Sequence, residues 1–192
     1  MLRKEERHKA IAIPVSFADG KPRFLTVKDR RFGEWIFVTG GCRKREVINP
    51  LRCALRELEE ETRGVVNLKQ GTYSYFKFYS KNRSPEELQN DRKEGIDVTL
   101  VYHVYVFDFN VPVAVQRSLI RRFNDEKDKT DERKRKGLPI RRTYDENDLM
   151  SFDTLEEFNR RKRWDFIVNN IIKNPDFPVA VTSLNRQSFN IR

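Results

Sequence analysis

The sequence predicts an α/β fold, an α/β/α sandwich in which helices cover both faces of a mixed β-sheet. Three stretches carry that expectation. Trp35 to Val65 reads as a short apolar strand, a glycine break, a basic loop and a helix. Ile96 to Phe109 is apolar on both alternating faces, as in a central strand covered on two sides. Arg163 to Lys173 spaces Trp164, Ile167, Val168, Ile171 and Ile172 as an amphipathic closing helix does.

The other elements follow in chain order. His8 to Phe17 alternates as a first strand, with Pro14 marking an edge or a bulge. Ala18 to Pro22 makes a turn, Arg23 to Val27 a second strand, and Lys28 to Phe32 a basic loop. Trp35 to Val38 is then a buried strand that Gly40 and Gly41 break. Asn49 suits an N-cap and Pro50 the first helical position, where its missing N–H costs nothing. Leu51, Ala54, Leu55 and Leu58 recur at helical spacing, and Gly64 supplies a stop. Tyr73 to Tyr79 alternates, with Tyr73, Tyr75, Lys77 and Tyr79 on one face. That face either stacks bases around a phosphate-binding lysine or packs against neighbouring strands, with packing slightly favoured. Ser84-Pro85-Glu86-Glu87 opens a helix in a polar excursion. His103 is expected to be a hydrogen-bonded core residue.

Val113 to Phe123 is expected to be helical and to run into a dense charge run. The chain is thus read as one domain, 1–192, with a solvated basic insertion around 124–142. Within it Arg133, Lys134, Arg135, Lys136, Arg141 and Arg142 form a cluster able to engage nucleic-acid phosphates. Residues 145–158 read as a late strand and helix start. The tail, 175–192, is expected to be irregular, with Phe177, Val179 and Phe189 available to pack back.

The helix after Pro50 breaks two local rules. Glu57, Glu60 and Glu61 fall within roughly a 100° arc beside the apolar stripe. Glu57 and Glu61 form a like-charge i,i+4 pair, costing roughly 0.2–0.5 kcal/mol. Glu60 and Glu61 sit in the last turn, where the helix dipole disfavours anions. Such uncompensated violations tend to mark functional sites. Three clustered carboxylates suit hard divalent cations.

Arg56-Glu57-Leu58-Glu59-Glu60-Glu61 matches the R-E-U-x-E-E core of the Nudix box, and the chain here resembles the Nudix hydrolase superfamily. The glycine pair and Pro50 stand at the family's spacing. Three positions depart from it: Cys42 stands where the box has its first glycine, Ile48 replaces its upstream glutamate, and Arg63 takes the place of its later glycine. The resemblance implies a Nudix-like α/β/α sandwich and hydrolysis of a diphosphate linkage in a nucleotide derivative. It implies Mg2+ or Mn2+ held by Glu57, Glu60 and Glu61 with Gly41, and Arg56 as the arginine that orients them. A lost glutamate at Ile48 puts the loop geometry in question. Glu146 is the first candidate for a general base by position, and Glu126 the second.

A net charge of +10 with pI about 9.7 favours a polyanionic partner. No segment approaches a membrane span. Two cysteines, Cys42 and Cys53, imply no disulfide framework and no disulfide-linked partner, so an intracellular, cytoplasmic setting is expected. Phe32, Trp35, Arg43, Lys44 and Arg45 join the tyrosine face as expected substrate contacts. Together these features favour the 5′ cap of RNA as substrate. Nudix enzymes that remove the messenger-RNA cap combine such features, and their viral members carry insertions. The segment Arg186 to Ile191 is similar to one in those viral members, which would place the protein in an infected host cell. Free nucleotides (dinucleoside polyphosphates, ADP-ribose, inositol pyrophosphates) stay open as substrates. So does an RNA-binding Nudix-like module of weak turnover.

Overall fold

The computed structural model describes residues 2–69 and 71–189, with side chains described as far as residue 185. Its sheet is built from β1 (Arg3–Ser16), β2 (Arg23–Asp29), β3 (Trp35–Ile36), β4 (Val38–Gly41), β5 (Tyr73–Ser80), β6 (Ile96–Asp108) and β7 (Asn147–Asp153). The strand order is β3-β2-β1-β6-β5, with β4 also paired to β1 and β7 to β2. β1 and β6 run parallel from Arg3 opposite Ile96 to Val15 opposite Asp108, and the remaining pairs are antiparallel. The sheet is therefore mixed, as expected. Pro14 lies in the gap between the β4 and β2 pairings of β1, where a missing N–H removes no ladder bond on that side.

Side chains alternate across the two faces as strand geometry requires. Ala10, Ala12, Leu25, Val27, Tyr105 and Phe107 form one buried cluster with Cys53, Ala54 and Leu58 of α1 (Pro50–Glu61) and Leu119 and Phe123 of α3 (Val113–Arg135). Ile11, Ile13, Phe24, Tyr102, Val104 and Val106 form the other. The latter cluster is closed by α4 (Leu155–Asn159), α5 (Asp165–Ile167) and α6 (Asp176–Phe189). Between β5 and β6 lies α2 (Pro85–Lys93), whose N-cap Ser84 and Glu87 form the capping box that its sequence predicts.

Three expectations need correction. The charge run is no loose insertion, because α3 continues unbroken through it to Arg135. Lys, Glu and Arg are strong helix formers, and the Lys127–Asp131 and Lys129–Glu126 pairs brace successive turns. The tail is helical too. Phe177, Ala180, Val181 and Leu184 repeat at i, i+3, i+4 and i+7 and are buried, while Val179 points to solvent. Arg186 to Ile191, with Phe189, lies outside the described side chains. The closing helix shrinks to α5 followed by a π-helical turn, Val168–Ile172, that still buries Ile167 and Ile171. No helix among the described residues is long and apolar enough to cross a membrane.

Candidate active site

β4 carries the chain to Gly40 and Gly41, a 3-10 turn spans Lys44–Glu46, and α1 begins at Pro50. The Asn49 side chain makes no capping hydrogen bond, so Pro50 and the turn set the helix start. Gly40 is required by close approach rather than by its dihedrals. A Cβ there would lie 1.9 Å from the carboxyl carbon of Glu57, so any side chain would displace that carboxylate.

Arg56 is the hub. Its Nε donates to Glu46 Oε1 at 2.8 Å and its Nη2 to Glu46 Oε2 at 2.9 Å, a bidentate pair. Nη2 also donates to the Gly41 carbonyl at 2.9 Å, and Nη1 to Glu57 at 2.6 Å and Glu60 at 3.0 Å. Glu46 is buried, and the backbone N–H of Arg43 donates to its second oxygen at 2.8 Å. The Arg56 guanidinium and that N–H hold the Glu46 pKa down at about 2.

This answers the departure at Ile48, whose side chain is 92% exposed and touches none of this network. The carboxylate that supports the arginine has moved two residues upstream, to Glu46. The signal was legible, since Glu46 is the lone acid between Gly41 and Pro50.

Arg63 is answered likewise. It holds φ +57°, a left-handed conformation that favours glycine. Its buried guanidinium donates to Asn147 O at 2.9 Å and Thr130 Oγ1 at 3.3 Å, and lies over the Phe123 ring. Asn147 Nδ2 in turn reaches Glu61 O at 3.2 Å and Oε2 at 3.3 Å. The arginine thus ties the end of α1 to α3 and to β7.

Glu57, Glu60 and Glu61 are all buried. Burial first, and the Glu57 charge second, push Glu61 well above the usual carboxylate range. Burial also raises Glu57, against the pull of Arg56. Buried carboxylates that repel one another are the donor set that a divalent cation neutralises, and Gly40 leaves the room that the Glu57 carboxylate of that set occupies. Among the described residues no three acidic, cysteine or histidine side chains already form a cage. Arg56 lies between Glu57 and Glu60 instead, so these two must turn from it to hold an ion.

Glu146 stands in the turn before β7, exposed at the rim. Surrounding protein raises its pKa first, and the charges of Glu60 and Asp29 add to this. Glu126 pairs with Lys129 on α3. Arg43 and Arg141 flank Glu60 at 3.6 and 3.7 Å, with Lys44 and Arg45 exposed beside them.

Tyr73, Tyr75 and Tyr79 stay about half exposed with Lys77 on the edge strand β5. The cross-strand packing expected of them is there as well: Tyr73 meets the Tyr105 and Phe107 rings, and Tyr75 those of Tyr105 and His103. They lie on the sheet face that carries α1, since Tyr75 pairs with Tyr105 and Lys77 with His103. A hydrogen-bonded line that sequence reading missed crosses this face: Tyr75 OH to His103 Nδ1 at 2.9 Å, then His103 Nε2 to His8 Nδ1 at 2.9 Å. His8 O accepts from the Cys42 N–H, so the line ends at the glycine loop.

Two of the expected substrate contacts do not join that face. Trp35 is a buried core residue under the Arg161 guanidinium, 3.7 Å from its ring centre. Phe32 is exposed, but it follows β2 while the tyrosines ride on β5, three strands away. At roughly 4.8 Å per strand that is about 14 Å.

Of the basic cluster, Arg133 holds Pro139 O, Lys134 pairs with Asp145, and Lys136 with Glu132. Arg135 and Arg142 are exposed, and Arg141 stacks on Tyr144 at 4.0 Å.

The NUDIX domain model matches residues 6–133, more than half of the chain. Comparison with curated proteins gives no match. Among solved structures, the NUDIX domain of Shewanella oneidensis NrtR, complexed with ADP ribose, shares 10% identity at TM-score 0.50, covering 96% of this chain and 89% of that one. A C. elegans Ap4A hydrolase shares 14% at TM-score 0.45, covering 96% of each chain. A NUDIX hydrolase from Nitrosomonas europaea shares 10% at 0.46, covering 95% and 90%. At 10% identity the first of these likenesses bears on the fold alone. With a matching family model spanning the glutamate helix, the chain belongs to the Nudix family and is a Nudix pyrophosphohydrolase of nucleotide derivatives.

Proposed function

We propose that this protein removes the 5′ cap of RNA, hydrolysing the diphosphate linkage between the cap nucleotide and the transcript with Mg2+ or Mn2+. The observation that carries this reading is the exposed Tyr73, Tyr75, Lys77 and Tyr79 face, on the α1 side of the sheet. Successive bases stack on such aromatics while the lysine holds a phosphate, a surface that a small free nucleotide does not need. The +10 charge and the exposed Arg135 and Arg142, toward the opposite edge of the sheet from β5, add positive charge for a polyanion.

Glu57, Glu60 and Glu61 would hold the ion, with the Gly41 carbonyl at the rim. Once bound, the ion neutralises the diphosphate and lowers the pKa of its water. Arg56, fixed by its bidentate bond to Glu46, holds Glu57 and Glu60 together until they turn to the ion. Arg43 and Arg141 bring positive charge to the edge of Glu60, where a phosphate chain approaches. Glu146, whose pKa is raised by the surrounding protein and by the Glu60 and Asp29 charges, would serve as the general base.

Tyr75→Ala and Tyr79→Ala should each weaken binding of capped RNA by roughly 1–3 kcal/mol. Turnover of a free dinucleotide should stay near the wild-type value. Equal losses on both substrates would contradict stacking of the transcript. Neutralising Arg133, Arg135, Arg141 and Arg142 should flatten the salt dependence of RNA binding, by a log–log slope of roughly 0.7 per lost contact. An unchanged slope would return that stretch to a merely solvated surface.

A further inference from the structure

The turn from β2 to β3 holds an aromatic ring in water by construction. Asp29 Oδ1 accepts the Phe32 N–H at 2.6 Å, and Gly33, at φ +64°, donates to Asp29 O at 3.0 Å. Lys162 Nζ donates to Phe32 O at 3.0 Å. Tied in this way, Phe32 stands 60% exposed. It walls a cleft of about 230 Å³ with Ile36, Trp164, Asp29 and Glu34.

The Phe32 ring already receives a planar cation, the Arg31 guanidinium, 5.0 Å from its centre. Asp29 spends one carboxylate oxygen on the turn, and no hydrogen bond or ion pair engages the half-buried Glu34 carboxylate among the described residues. The Asp29 wall of the cleft is linked to the glutamates: Asp29 pairs with Asn147, whose amide reaches Glu61, and Arg30 N–H donates to Glu146 O.

We infer that this cleft is the base subsite and that it selects guanine, stacked at Phe32 and Trp164 with Glu34 reading its edge. Guanine presents two adjacent N–H donors, which a single carboxylate accepts side by side. Adenine places an acceptor nitrogen beside its amino group, and a carboxylate repels it. The volume lies below the roughly 300–1,000 Å³ of drug-sized pockets, so it takes a base and sends the phosphates outward. The tyrosine face, three strands away, is then left to the transcript. This subsite rests on the capped-RNA reading, since guanine is the base that a cap presents, but its test is separate.

Metal-free full-length protein is titrated with GDP and with ADP, following tryptophan fluorescence, because Trp164 lines the cleft. GDP should bind about tenfold or more tightly than ADP. Glu34→Gln should bring the two within about twofold, and Phe32→Ala should weaken both, with circular dichroism unchanged. Equal binding of GDP and ADP to the wild type, or a preference that survives Glu34→Gln, would overturn the subsite. If GDP selection holds and vanishes in Glu34→Gln, the subsite stands even where capped RNA goes uncleaved, and decapping alone fails. Cleavage of capped RNA alongside an unchanged preference in Glu34→Gln overturns the subsite alone.

Discussion

Glu60→Gln lowers turnover by roughly two to three orders of magnitude, the equivalent of about 3–4 kcal/mol of lost transition-state stabilisation. The fold stays intact. The amide oxygen still accepts from Arg56 Nη1, and Arg56 keeps Glu46, Glu57 and the Gly41 carbonyl as partners. A steady-state assay beside circular dichroism checks this. Near-wild-type hydrolysis by the variant would remove Glu60 from the metal site. Loss of structure would mean that the carboxylate serves the fold first.

Glu46→Ala is expected to be among the most destabilising single changes in the chain. It strips a bidentate carboxylate from an arginine whose side chain is 16% exposed, and breaking a buried pair on one side costs about 3–5 kcal/mol. Ile48→Glu in that background should restore nothing, because position 48 points into solvent. The pH dependence has a definite sign. The Glu46 pKa is lowered in the folded protein to about 2, so its contribution is present above the ordinary value of 4.5 and is lost as pH falls between the two. Denaturant melts of wild type and Glu46→Gln should therefore converge as pH drops through that window. Parallel curves would show that the Arg56 pairing does not stabilise the fold.

The local physics of the sequence was informative where one element decides its own fate. The glutamate helix could be read from Pro50, its apolar stripe and its misplaced acids. The same holds for β6, apolar on both faces, and for the helix start at Ser84. The charge run after Phe123 was misread because composition alone cannot separate a solvated coil from a helix braced by i,i+4 pairs. Contacts between distant residues left no periodic trace. Arg63 reaches β7 across the molecule, and His8 meets His103 through the parallel β1–β6 register. Trp35 looked like a stacking residue because aromatics before a glycine loop serve either purpose. Only the Arg161 guanidinium and the core around it decide for burial.

The most direct measurement follows RNA radiolabelled in its cap phosphates, incubated with the protein and Mg2+ beside a panel of free nucleotides that includes a dinucleoside tetraphosphate and ADP-ribose. Decapping predicts metal-dependent release of a labelled guanine nucleoside diphosphate, RNA left with a 5′ monophosphate, and slower turnover of every free nucleotide. Intact caps beside rapid hydrolysis of a free nucleotide would contradict it.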